Sequence, residues 1–201
     1  MARTRQFDRD TALNNAMSLF WRQGYHATSM KDIEQAVDMR PGSIYATFGS
    51  KERLFLEALT SYGEMTKASF SEALESGETE LDGFVTLIFD MVEQTQSGLP
   101  SKACMLIKTL LELSNHDDID NSLVKDYMDE LQRLFVMKFR SAIAAGELAS
   151  QADPERLARM YQSTILGLSV MAQRDLPSEQ VQQLAEDLVR HMLPATSRLS
   201  N

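Results

Sequence analysis

Cysteine occurs once in 201 residues, at Cys104. A lone cysteine excludes an internal disulfide framework and makes a cytoplasmic setting the expectation. Long apolar runs are missing too. The longest mostly apolar stretch, Ile165 to Ala172, falls far short of the ~20 residues that span a bilayer. The first ten residues, MARTRQFDRD, are charged with no apolar segment behind them, so no secretory signal is expected. The three histidines, His26, His116 and His191, lie far apart and none has a neighbour at metal-ligand spacing. The run HDDID at 116–120 lacks the glycine and terminal glutamate of a calcium loop. It reads as a solvated loop whose Asp120 caps the next helix. No phosphate-cradling glycine loop or nucleophile elbow occurs. Catalytic residues, metals and cofactors are therefore not expected, and an enzyme is disfavoured.

Glycine and proline are also sparse, at nine and five residues, while Ala, Leu, Met, Glu and Gln tilt the composition towards helix. Strand-like alternation, internal repeats and low-complexity tracts are absent. The chain reads as all-α with about nine helices. Leu13, Ala16, Met17, Phe20 and Trp21 form one buried stripe of a first helix over about Asp8 to Gln23, stopped by Gly24. Thr28 or Ser29 caps a second helix, with Met30, Ile33 and Val37 inward and Asp32 favourably placed against the helix dipole. Pro41 opens a third that buries Ile44 and Phe48 and stops at Gly49. Ser50 caps a long fourth helix through Leu54, Leu56, Leu59 and Tyr62. Further spans are Glu80–Gln96, Ser101–Leu113, Asp120–Ala145, Pro154–Arg174 and Ser178–Leu193. Their breaks fall at Ser76-Gly77, Ser97-Gly98-Leu99-Pro100, His116–Asp118, Gly146 and Leu176-Pro177.

Charge is distributed unevenly. The net value is −9, yet residues 1–51 carry seven Lys/Arg against five Asp/Glu, and the remainder thirteen against twenty-four. A mildly basic head on an acidic body suits a small nucleic-acid-binding end. The segment at 41–48 gives that end a mechanism. Eight residues are too few to hold a helix in water by themselves, so neighbours must hold this one. Two short helices joined by a tight turn, the second polar outside, make a helix-turn-helix whose second helix enters the major groove. Gly42 and Ser43 are small enough for its N-terminus to approach a phosphate. Ser43, Tyr45 and Thr47 can bond phosphates or base edges, while Ala46 or the Thr47 methyl can touch a thymine methyl. Lys51 stands in the first turn of the next helix, where its charge opposes the dipole unless an anion arrives. It pairs there either with a DNA phosphate or with Glu52, Glu57 or solvent.

The run DMRPGSIYATFGSKERLF resembles the signature of the tetracycline-repressor (TetR) family of bacterial transcriptional regulators. Gly42, Ile44, Tyr45, Phe48, Ser50, Lys51 and Glu52 stand where that pattern expects them, and ALNNAMSLFWRQGYHATSMKDI matches through Phe20, Gly24, Tyr25, Thr28 and Ile33. The likeness covers about residues 8–60. Two positions depart from it. Asp38 replaces the usual turn glycine, although aspartate tolerates a left-handed backbone better than most residues. Arg40 replaces a usual Ser or Thr cap, exchanging a cap for a cation that can alter operator preference.

The resemblance implies a DNA-binding head at 1–50 and a ligand-binding, dimerising body at 51–201. Carried over by position, it implies DNA contacts from Lys31, Arg40, Ser43, Tyr45, Thr47 and Lys51, with Thr28 and Met30 as weaker candidates. Arg3 and Arg5 either reach the DNA or belong to a solvated terminus. A helical adaptor without DNA binding is the alternative, but it would have no need of Lys31, Arg40, Tyr45 and Lys51 together.

ILGLSVMA at 165–172 is apolar nearly all round, and Val181, Leu184, Leu188 and Met192 line the final helix. Such a helix buries one face in its own core and another against a second chain, or lies centrally in a monomer core. The family pairs its last two helices into a homodimer, which implies a palindromic double-stranded operator. A pocket for an unidentified small-molecule inducer is implied as well. Tyr62, Met65, Phe84, Phe89, Met105, Met128, Phe135 and Tyr161 either line it or are simple core. Cys104 in SKACMLIKTLLEL reads as a small buried hydrophobe, or as a thiol sensitised by the first turn of a helix opened by Pro100-Ser101, with Lys102 and Lys108 nearby. Some family members sense electrophiles or oxidants through a cysteine in a similar setting.

Overall fold

A computed structural model describes residues 2–113, 120–174 and 176–193, with the side chains of 2–8 left aside. Among these residues the chain forms nine helices and no strand: α1 (Ala2–Gln23), α2 (Met30–Val37), α3 (Pro41–Phe48), α4 (Lys51–Glu75), α5 (Glu80–Gln94), α6 (Met105–Leu113), α7 (Ser122–Ala144), α8 (Pro154–Gln173) and α9 (Ser178–Met192). The all-α reading holds. Arg3 and Arg5 lie in α1 with side chains outside the described set, and residues 116–119 of the HDDID run lie outside the described residues.

The helix ends follow local chemistry. Gly24 closes α1 at φ +85°, a left-handed angle that glycine adopts without steric cost. Ser29 caps α2 in a reciprocal box: the Asp32 N–H donates to Ser29 Oγ at 3.2 Å, and the Ser29 N–H donates to Asp32 Oδ2 at 2.8 Å. Asp38 ends α2 at φ 51°, ψ 44°. Ser50 Oγ accepts from the Arg53 N–H at 3.1 Å and so caps α4. Thr79 caps α5 through the Asp82 N–H, and the Glu147 carboxylate takes the two donors before it, the N–H groups of Glu80 and Leu81, at 2.9 and 2.8 Å. Asp120 accepts from the Ser122 N–H and hydroxyl at the start of α7.

One helix begins later than its sequence suggests. The apolar spacing extends to Ser101, yet α6 starts at Met105. The side-chain oxygen of Gln173, Oε1, accepts at 3.0 Å from the Ser101 hydroxyl, the Lys102 N–H and the Ala103 N–H. Three donors converging on one distant oxygen pin residues 101–103 as a bend ahead of α6.

The chain divides into two compact units, Met1–Met65 with Cys104–Lys125, and Thr66–Ala103 with Asp126–Asn201. The first has an aromatic heart. Phe55 meets Phe20 edge-on at 5.1 Å and Tyr25 at 4.9 Å, and Trp21 meets Tyr62 at 5.0 Å. Ile33, Ile44, Phe48 and Leu54 are buried in the same unit. The second unit centres on Phe84, Phe135, Phe139 and Tyr161, all fully buried, with Phe84 stacked on Phe139 at 4.1 Å. The α5 helix packs against the end of α4 by backbone contact. A Cβ at Gly83 would stand 2.2 Å from the Leu74 carbonyl oxygen, so only glycine fits there.

Candidate nucleic-acid interface

The helix α3 is short because its neighbours hold it. Ile44 and Phe48 turn inward and are 1% and 3% exposed, whereas Gly42, Ser43, Tyr45, Ala46 and Thr47 are exposed together. The guanidinium of Arg9 lies 5.0 Å from the Phe48 ring and also pairs with Glu57 at 2.6 Å, fastening α1 over the end of α3 and onto α4. Pro41 supplies the first helical residue, where its missing N–H costs nothing. Arg40 occupies the cap position, makes no capping side-chain bond and is exposed. The N–H groups of Ser43 and Ile44 instead donate to the Arg40 carbonyl at 2.9 and 3.1 Å, and Pro41 has none to satisfy.

Lys31 is exposed on the first turn of α2. Lys51 is half-buried, and its ammonium sits over the Tyr25 ring at 4.2 Å from the centroid. Burial lowers its pKa, while the carboxylates of Glu112 and Asp32 pull the other way. Pairing with Glu52 or Glu57 is therefore not what the geometry displays; an aromatic face takes that place. Hydrogen bonds from Ser29 hold Asp32 below the usual carboxylate range, so that charge persists. Thr28 departs from its expected role. It is buried and its hydroxyl donates to the Gly24 carbonyl at 2.6 Å, whereas Met30 is half-buried. Lys31, Arg40, Ser43, Tyr45, Thr47 and Lys51 thus all belong to the first unit, five of them exposed.

Comparison with known proteins identifies the family. The pattern described as "Bacterial regulatory proteins, tetR family" matches residues 12–58, and "Tetracyclin repressor-like, C-terminal domain" matches residues 77–188. The chain belongs to the TetR family. Its function is regulation of transcription, and this family of DNA-binding regulators is not one of enzymes. The HTH-type transcriptional repressor ComR of Escherichia coli K12 is 30% identical over 190 residues, covering 94% of this chain and 90% of ComR. A cysteine-substituted form of the TetR family regulator CifR, complexed with 26-base-pair double-strand operator DNA, is similar at a TM-score of 0.80 and 32% identity. That match covers 90% of this chain and 94% of CifR. A TetR transcriptional regulator from Chloroflexus aurantiacus aligns at a TM-score of 0.83 and 25% identity, covering 94% and 96% of the two chains.

Within this TetR-family chain, the residues expected around an inducer behave differently from one another. In the first unit, Tyr62 and Met105 are buried and Met65 is 48% exposed. In the second, Phe84, Phe135 and Tyr161 are buried core, and the Tyr161 hydroxyl donates to the Phe84 carbonyl at 2.7 Å. Burial pushes its pKa well above the ordinary tyrosine value. Phe89 and Met128 keep part of their surface uncovered, and the Met128 carbonyl accepts from Gln162 Nε2. None of the described helices is long and apolar enough to cross a membrane.

Cys104 does not lie in the first turn of a helix, as its sequence suggested. It stands just outside α6, its carbonyl accepting the Lys108 N–H at 3.1 Å. Lys108 is committed elsewhere. Its ammonium donates to the carbonyls of Trp21 at 2.6 Å and Arg22 at 3.1 Å, so it caps the end of α1 rather than attending the thiol. The thiol itself is only half-buried, intermediate between the two readings of its sequence.

Tyr25 and Glu112 carry no polar role in the sequence reading. Glu112 lies 87 residues from Tyr25, whose N–H donates to it. No local pattern announces a contact across that distance.

Proposed function

We propose that the protein is a dimeric repressor that binds a palindromic operator through α3 and is released by a small-molecule or electrophile signal. The reading rests on one observation above others: α3 hides Ile44 and Phe48 while presenting Ser43, Tyr45, Ala46 and Thr47 on a single outward face. Tyr45 and Thr47 read base edges or flanking phosphates; the Ser43 hydroxyl, at the N-terminal end of α3, takes a backbone phosphate. Lys31, Arg40 and Lys51 supply the cations that displace counterions from the duplex. Residues 1–50 are the DNA-reading head and 51–201 the effector and dimerisation part. The dimer forms through α8 and α9, which pairs two heads across two half-sites. Operator binding places the protein in the cytoplasm, with its DNA. Similarity to ComR, a repressor, and to CifR bound to operator DNA supports the sign of regulation and double-stranded DNA as the partner.

For the inducer, Phe89 and Met128 are the ligand-facing members of the second unit, since Tyr161 is already committed to the core. Cys104 is the thiol through which an electrophile would act.

A gel shift on DNA upstream of the protein's own gene tests this reading across a salt series. Binding should fall linearly in log–log form with salt, and Tyr45→Ala should weaken it about tenfold with unchanged melting. Alkylation should release wild type but not Cys104→Ser. A folded dimer that binds no such fragment at low salt would refute repression at that site, and equal release of both proteins would remove the thiol from the scheme.

A further inference from the structure

The helix α6 grips the turn between α1 and α2 with two side chains one helical turn apart. Lys108 donates to the carbonyls of Trp21 and Arg22 at the end of α1. A cation suits that end of the helix dipole. Glu112 works from the other side. Its Oε2 accepts the Tyr25 N–H at 3.1 Å, and its Oε1 accepts the His26 N–H at 2.7 Å. Both bonds are charge-assisted, and together they fix the carboxylate plane against the turn. Gly24 makes room for it: a Cβ there would stand 2.6 Å from Glu112 Oε2, and the φ of +85° is one that other residues rarely adopt.

The turn in turn holds Tyr25, whose ring lies against Phe20 and Phe55 and beneath the Lys51 ammonium. We propose that Glu112 is a positioning residue for operator binding, fixing the Tyr25 turn so that its ring holds the Lys51 ammonium ready for a DNA phosphate. A lysine stem otherwise samples many rotamers, and ordering it on the aromatic face before binding lowers the entropy lost on contact. Glu112 also favours the charged form of Lys51, against the burial that disfavours it. The inference depends on the proposed contact between Lys51 and phosphate.

Two readouts on the full-length protein test it. In lysine-labelled protein, the Lys51 ε-methylene resonance, assigned with Lys51→Ala, should be shifted upfield by the Tyr25 ring. Glu112→Ala should return it towards the ordinary lysine position. Glu112→Gln, which keeps one acceptor oxygen, should retain part of the shift. In operator titrations, Lys51→Ala should weaken binding about tenfold and reduce the salt slope by about one. Glu112→Ala should lose as much in slope, and the double variant should lose no more than either alone. An unmoved Lys51 resonance, or slope losses that add in the double variant, would overturn the proposal. Should the alanine variant not fold, Glu112→Asp withdraws the carboxylate by one methylene and is judged by the same readouts. Wild-type protein that binds no operator would defeat the repressor reading, while the resonance would still decide the clamp. Operator binding unaffected by Lys51→Ala would instead remove the phosphate role of Lys51, and with it the proposal.

Discussion

Asp38 is the residue at which the chain accepts local strain. It is the one non-glycine residue with positive φ among those described, at 51°. An L-residue there costs roughly 1–2 kcal/mol, somewhat less for aspartate. Its N–H bonds the Glu34 carbonyl and closes α2, which lets α3 leave at the angle the motif needs. Asp38→Gly should therefore raise stability by roughly 0.5 kcal/mol, the relieved strain exceeding the extra chain entropy of glycine. Asp38→Val should lower it by more than that, and urea unfolding of both variants checks the pair. The left-handed angle was foreseeable from the sequence, because aspartate stands where the family pattern has a turn glycine. The aromatic seat of Lys51 was not foreseeable. Tyr25 is distant in sequence, and only the fold of α1 against α4 brings its ring beneath the ammonium.

At the scale of elements, boundaries set by caps were legible and those set by distant partners were not. Ser29, Ser50, Thr79 and Asp153 each accept from backbone N–H groups two or three residues on, so the sequence around them suffices. The start of α6 differs because Gln173, some seventy residues away, holds residues 101–103 in a bend ahead of it. The α5–α8 contact carries a pH signature of the same long-range kind. Tyr161 stays protonated in the fold because burial raises its pKa, whereas the unfolded chain ionises near its ordinary value of 10.0. Above about pH 10 the unfolded state binds fewer protons than the native one, so stability falls as pH rises, by up to ~1.4 kcal/mol per pH unit. That contribution is complete below pH 10 and is lost through the alkaline range. Tyr161→Phe should be less stable by about 1 kcal/mol at pH 7, having lost the bond to Phe84. It should also lack this alkaline slope, as urea titrations of both proteins from pH 8 to 11 would register.

For the whole molecule, the acidic total charge and the basic head pull in opposite directions, and a salt-dependent DNA complex requires the head to prevail locally. Dimerisation is the other global requirement. On α8, Met160 and Val170 are 47% and 46% exposed beside Ser163 and Gly167, an apolar strip on the helix proposed to meet its twin. Val170→Lys should convert the dimer to a folded monomer, seen by light scattering with unchanged helicity, and should abolish binding to a palindrome but not to non-specific DNA at low salt. The sequence by itself determined the helical class, seven of the nine helix starts to within about two residues, and the outward hydroxyl face of α3, because periodicity, caps and turn residues act over a few neighbouring positions. Tertiary structure alone decided that Lys51 rests on Tyr25, that Lys108 caps α1 instead of serving Cys104, and that Glu112 holds the α1–α2 turn. Those are contacts between segments far apart in the chain, and which of many possible partners meet is set by packing of the folded core.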